Sequence, residues 1–221
     1  MLVVCVQAQK GGVGKTTLAV QLLIAGWLAK KAVCILDLDP QRSAEHWAEL
    51  RFRLHGLRAP AIVSGEPEKL RDMIAAARRT NTDIVIIDTP PIVNKTTILA
   101  AGAAHLVLVP TRASVLDDFS LRETLDVLQA SKAIRKTLVV VNAMEDDQDA
   151  DEESVRRIAA EYGAQVVATS IENDPAYRSS LRQGRGVVEV APKSTAARQI
   201  QALFRLVSKR APRADAAKPE K

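Results

Sequence analysis

The residues best placed to do chemistry stand near the start of the chain, in the run Gln9-Lys10-Gly11-Gly12-Val13-Gly14-Lys15-Thr16-Thr17. The run follows an apolar β-branched segment and opens a segment of helical period, which is the context a phosphate loop requires. Glycines allow the backbone to turn successive N–H groups inward around a phosphate, and the helix N-terminus adds partial positive charge. In that arrangement Gly11, Gly12, Val13 and Gly14 supply the cradle. Lys15 reaches the β- and γ-phosphates, the Thr16 hydroxyl ligates Mg²⁺, and Thr17 reaches the α-phosphate. ATP and Mg²⁺ are the expected cofactors. A glycine-rich turn that binds nothing would leave the Lys-Thr pair at this offset unexplained.

Two apolar segments end in carboxylates. Ile35-Leu36-Asp37-Leu38-Asp39-Pro40-Gln41 carries acids at alternate positions, so Asp37 and Asp39 point the same way if the strand persists. Asp83-Ile84-Val85-Ile86-Ile87-Asp88-Thr89-Pro90-Pro91 ends on Asp88, which is expected to hold Mg²⁺ through water, since magnesium keeps several waters. Asn142 follows a further apolar run; an amide there reads the edge of adenine or simply forms a turn. No nucleophile–base–orienter set is present. His46, His55 and His105 are scattered without metal-ligand spacing, so hydrolysis would rest on positioning and charge.

These residues need a frame. Short β-branched runs alternate with helical segments, which predicts an α/β fold: a mostly parallel twisted sheet flanked by helices on both faces. Strands are expected at 2–8, 32–38, 83–88, 105–110, 137–141 and 164–169, with a weaker one at 59–63. Helices are expected at 15–30, 42–54, 67–79, 94–103, 117–134, 152–162, 175–183 and 194–209. One domain over 1–209 follows, then a Pro-, Ala- and charge-rich tail over 210–221 expected to be disordered. The acidic stretch 145–153 suits the start of a helix through the dipole. Ligands of an open α/β sheet sit at the carboxyl ends of its strands, where the loop and the acids would meet.

Charge is unevenly spread. The 221-residue chain carries a net +5, yet residues 175–221 hold 11 Lys/Arg against 3 Asp/Glu, while residues 1–174 hold 20 against 23. Arg198, Arg205 and Lys209 share one face of the last helix, and Arg178 and Arg182 add charge nearby. This pattern suits phosphate contacts without base reading, hence non-specific DNA; a solvated helix with a solubilising tail is the plainer explanation. Cys5 and Cys34 lie in β-branched runs as reduced core residues. No apolar run is long enough to span a bilayer, and the first residues read as a strand and not a leader, so a cytoplasmic, nucleoid-associated protein is expected.

The loop lacks the usual first glycine, with Gln9 in its place, and adds Lys10 before Gly11. This Lys-Gly-Gly-x-Gly-Lys-Thr form resembles the deviant Walker A motif of the ParA/MinD family, closest to small ParA partition ATPases without an N-terminal helix-turn-helix. The Asp37 to Gln41 segment, the Thr89-Pro90-Pro91 switch, Pro110-Thr111 with Ser114 to Phe119, and Tyr177 to Glu189 are similar as well. The resemblance covers roughly residues 2–208 and is weaker toward the C-terminus. It implies that Lys10 reaches the nucleotide of a second copy, making a homodimer with ATP. It implies that Asp39 positions the attacking water, Asp37 supports the magnesium region, Asn142 meets adenine, and Ser114 to Phe119 lies at the dimer face. Slow turnover, stimulated by a ParB-like or other adaptor, is the expected activity, with plasmid, chromosome or another cargo moved. Two rivals remain. A MinD-like membrane-cycling ATPase would need a terminal amphipathic helix, which the Ala- and Pro-rich tail does not offer. A synthetase or kinase would need a pocket for a small-molecule acceptor.

Overall fold

A computed structural model describes residues 1–92, 94–145 and 148–211. Strands are β1 (Leu2–Val6), β2 (Val33–Asp37), β3 (Ala61–Ser64), β4 (Ile84–Asp88), β5 (Leu106–Thr111), β6 (Thr137–Met144), β7 (Gln165–Val166) and β8 (Ile171–Glu172). Helices are α1 (Lys15–Leu28), α2 (Ser43–His55), α3 (Leu70–Arg79), α4 (Lys95–Ala103), α5 (Val115–Ala130), α6 (Asp149–Glu161), α7 (Pro175–Arg182), α8 (Val187–Val190) and α9 (Thr195–Ser208). The sheet runs β3-β2-β4-β1-β5-β6-β7, with β8 paired to β6, and every described pairing is parallel.

Alternation along β1 explains the two-sided core. Leu2, Val4 and Val6 pack into a cluster with α1, α2, α7, α8 and α9. Val3 and Cys5 point the other way, into a cluster with α3, α4, α5 and α6. Both cysteines are buried and unbridged. Burial pushes the Cys34 thiol up to about 11, as for an inert core thiol.

The expected elements are present with shifted ends. The strand expected at 164–169 is two residues of β7, after which the chain turns and adds β8 beside the end of β6. Helix α5 begins earlier than expected because the Ser114 side chain caps it, accepting from the Asp117 N–H. α8 lies between the helices expected at 175–183 and 194–209, where no element is expected. It is anchored by the Gln21 amide oxygen, which accepts from the buried Val187 N–H. Most of the tail, from 212 onward, and Asp146 and Asp147 of the acidic stretch lie outside the described residues. No helix among the described residues is long and apolar enough to cross a membrane.

Candidate nucleotide site

Strand β1 sits in mid-sheet, so the loop that leaves it for α1 opens between the ends of its neighbours β4 and β5. Gly12 and Gly14 hold positive φ, 76° and 92°, which is why this turn needs glycine. Gly14 has a second reason. A Cβ there would lie 2.3 Å from the Asn142 Nδ2. Lys15 is buried, and its Nζ donates to the Lys10 carbonyl at 3.2 Å. Burial lowers its pKa; Asp88 and Asp39 oppose that shift.

Asp88 is fully buried at the end of β4, and its Oδ2 accepts from the Thr16 hydroxyl at 2.6 Å. Its other oxygen, Oδ1, has no hydrogen-bond partner among the described residues. Burial pushes the carboxyl up to about 7, partly offset by the Thr16 hydroxyl and raised further by Asp37. A buried, unsatisfied carboxylate oxygen beside a hydroxyl suits a hard, oxygen-seeking cation. No cluster of three acidic, histidine or cysteine groups forms a metal cage among the described residues. That fits magnesium, which takes much of its coordination from phosphates and water.

The two acids after β2 part company. β2 ends at Asp37, so the alternation that would have aimed Asp39 alongside it does not continue. Asp37 is buried and caps α2: its Oδ2 accepts from the Ala44 and Glu45 N–H groups, and its Oδ1 from Asp39 N–H. Burial raises its pKa while those three donors lower it. Asp37 therefore aligns the segment that carries Asp39. Asp39 is half-exposed, with one oxygen accepting from the Gln41 N–H. It lines a cleft of about 580 Å³ with Asp37, Arg42, Glu66, Lys69 and Asn94. On the switch after β4, the Thr89 hydroxyl donates to the Val6 carbonyl, joining it to the strand that feeds the phosphate loop.

Lys10 is not free. Its Nζ lies 2.9 Å from Oδ1 of buried Asp117 in α5. Around Asp117, the side chains of Val115, Leu116 and Phe119 are 65%, 73% and 65% exposed. A smaller cleft, about 130 Å³, extends from Gly12, Gly14 and Thr17 to Asn142, Asn173, Tyr177 and Arg178. Asn142 donates to the Val13 carbonyl at 2.7 Å, and Arg112 to the Gly12 carbonyl at 2.6 Å. Sequence reasoning missed Arg112, although it follows β5 much as Asn142 follows the apolar part of β6.

The cations assigned to DNA differ in their surroundings. Arg178 lines the smaller cleft beside the phosphate loop. Arg198 is tied back to the Lys193 carbonyl and the Thr195 hydroxyl at the start of α9. Arg182, Arg205 and Lys209 are exposed. His55 Nε2 lies 2.7 Å from the Gln183 carbonyl, which joins the end of α2 to the end of α7; Arg53, Arg58 and Arg185 are exposed.

A family model described as the CobQ/CobB/MinD/ParA nucleotide binding domain matches residues 4–187. The maintenance of carboxysome distribution protein A of Gloeobacter kilaueensis is 31% identical over 93% of this chain and 92% of its own length. The chromosome-partitioning ATPase Soj of Thermus thermophilus is 30% identical over 86% of this chain and 88% of its own. The solved structure of the MinD cell division protein of Aquifex aeolicus superposes with a TM-score of 0.76 at 20% identity, covering 95% of this chain and 98% of that one.

Proposed function

The chain belongs to the CobQ/CobB/MinD/ParA nucleotide-binding family, and from that premise we propose that it is a ParA-type positioning ATPase. It dimerises with ATP and Mg²⁺, binds DNA without sequence preference as a dimer, and hydrolyses ATP slowly until an adaptor accelerates the step. The observation that carries this reading is the pairing of Lys10 with an exposed apolar patch at the mouth of the phosphate loop. Val115, Leu116 and Phe119 flank the Asp117 that holds Lys10. A monomer leaves this patch in water; a second copy would cover it while receiving Lys10.

The residues divide the work. The loop amides and Lys15 bind the phosphates. Thr16 and Asp88 would hold Mg²⁺, which offsets charge on the β- and γ-phosphate oxygens. Asp39 orients water, and Asp37 orients Asp39 through its backbone. Lys10 adds a cation from the partner copy, so a complete site exists only in the dimer. Arg182, Arg205 and Lys209, with Arg53 and Arg58 nearby, are exposed cations suited to phosphate backbones.

ATP-dependent DNA retention, measured with ATP turnover, tests the whole reading. The dimer should hold DNA of unrelated sequence, release it as salt rises between about 100 and 300 mM, and turn over faster with its adaptor. Retention that ignores salt refutes the DNA assignment. The cleft beside Asp39 favours a second reading, a small-molecule acceptor site. Its cations weaken that case, because Arg42 pairs with Glu45 and Lys69 with Glu66. Phosphate as the only product besides ADP excludes it.

A further inference from the structure

Backbone amides of a phosphate loop can face a ligand only if the intervening carbonyls face away, and each such carbonyl needs a donor. The loop 10–14 shows where those donors come from. The Gly14 carbonyl accepts from the Leu18 N–H, as the first bond of α1. The Lys10 carbonyl accepts from Lys15, a partner that must leave when Lys15 turns to phosphate. Of the three carbonyls between them, two are held by side chains from the neighbouring strands or just beyond them: Gly12 by Arg112 Nη2 at 2.6 Å, and Val13 by Asn142 Nδ2 at 2.7 Å.

We infer that Arg112 and Asn142 are positioning residues, which hold the phosphate loop in its ligand-ready shape by anchoring the Gly12 and Val13 carbonyls. This inference rests on the ATPase reading and assigns these side chains to the loop instead of to the base. Three features support it. The donors come from β5 and β6, the two strands next to β1 on one side, so the sheet itself sets their distance from the loop. A Cβ on Gly14 would lie 2.3 Å from the Asn142 Nδ2, so the amide is packed on the loop backbone. Finally, the anchored carbonyls flank the Val13 N–H and Gly14 N–H, two amides a phosphate would meet. An unanchored loop would have to be ordered at the time of binding, which costs affinity for any ligand that fills it. The loss should therefore follow the phosphates and be blind to the base.

The test compares Mg·ATP, Mg·GTP and inorganic Mg·tripolyphosphate, by calorimetry, on wild type, Arg112→Ala, Arg112→Lys and Asn142→Ala. Each alanine variant should weaken ATP and tripolyphosphate by the same factor, roughly ten-fold for one lost hydrogen bond to a carbonyl. The ratio of ATP to GTP affinity should stay at the wild-type value, and Arg112→Lys, which keeps a donor, should recover most of the loss. Weaker ATP with unchanged tripolyphosphate would make these residues direct nucleoside contacts and overturn the inference. So would a changed ATP:GTP ratio for Asn142→Ala. A wild type that binds all three ligands while the variants match it overturns this inference alone. A wild type that binds none overturns the ATPase reading and this inference together.

Discussion

Asp88→Asn separates what a buried carboxylate costs the fold from what it gives the site. Burial raises the Asp88 carboxyl from 3.8 to about 7. The folded state thus holds this proton more tightly than the unfolded chain does. The associated stability is fully present below the unfolded value and is lost as pH rises through about 7. A shift of about three units at ~1.36 kcal/mol each bounds the whole effect near 4 kcal/mol. Roughly two-thirds of it falls between about pH 5 and pH 8. Asparagine keeps an oxygen for the Thr16 hydroxyl but cannot ionise. Urea denaturation with chelator and no nucleotide, run across that range, should show wild type losing roughly 2–3 kcal/mol more than Asp88→Asn. Mg·ADP should then restore wild type at pH 8, because it binds the ionised form, and should do little for the variant. Parallel pH curves for the two proteins would refute the argument, since Asp88 would then be as solvated in the folded protein as in the unfolded chain.

Lys10→Ala should keep ATP binding and lose ATP-dependent dimerisation; an unchanged dimer on size exclusion contradicts the role given to Lys10. Asp39→Ala should accumulate as an ATP-bound dimer with turnover near background, and undiminished phosphate release removes Asp39 from the reaction. His105 Nδ1 accepts from the Val3 N–H at 3.0 Å, and its pKa is lowered by burial first, then by the N-terminus, Lys136 and Arg78. Stability from this group is present above the unfolded value of about 6.5 and lost as pH falls through the lower folded value. His105→Asn should flatten that acid limb in a thermal melt series, and an identical limb would show that Val3 finds its acceptor elsewhere.

Much of the site was legible from the chain because its parts are local. The loop and its helix are consecutive residues, and Gly12 and Gly14 hold the positive φ that a glycine-rich turn implies. Asp88 ends a run of buried apolar residues that could only be a covered strand. The family form, with Lys10 in place, is likewise a matter of neighbours. The condition behind the reading of Asp37 and Asp39, a strand running through both, is not met: β2 ends at Asp37, whose carboxylate accepts from the start of α2, although both acids line one cleft. Charge counted along the chain grouped Arg178 with the other C-terminal cations; in the fold it lines the cleft beside the phosphate loop.

Other features were out of reach for a physical reason: they join residues whose proximity depends on strand order. Arg112 meets Gly12 across 100 residues and Asn142 meets Val13 across 129. Lys10 finds Asp117 only because β5 lies next to β1, which brings the start of α5 to the loop. Arg51, which looks like one more surface cation on α2, is buried. It stacks near Trp27 and Trp47 and pairs with Glu189. Local chemistry determined that this chain has a phosphate loop with two lysines; the order of its parallel strands decided which distant side chains hold that loop and where the second lysine rests.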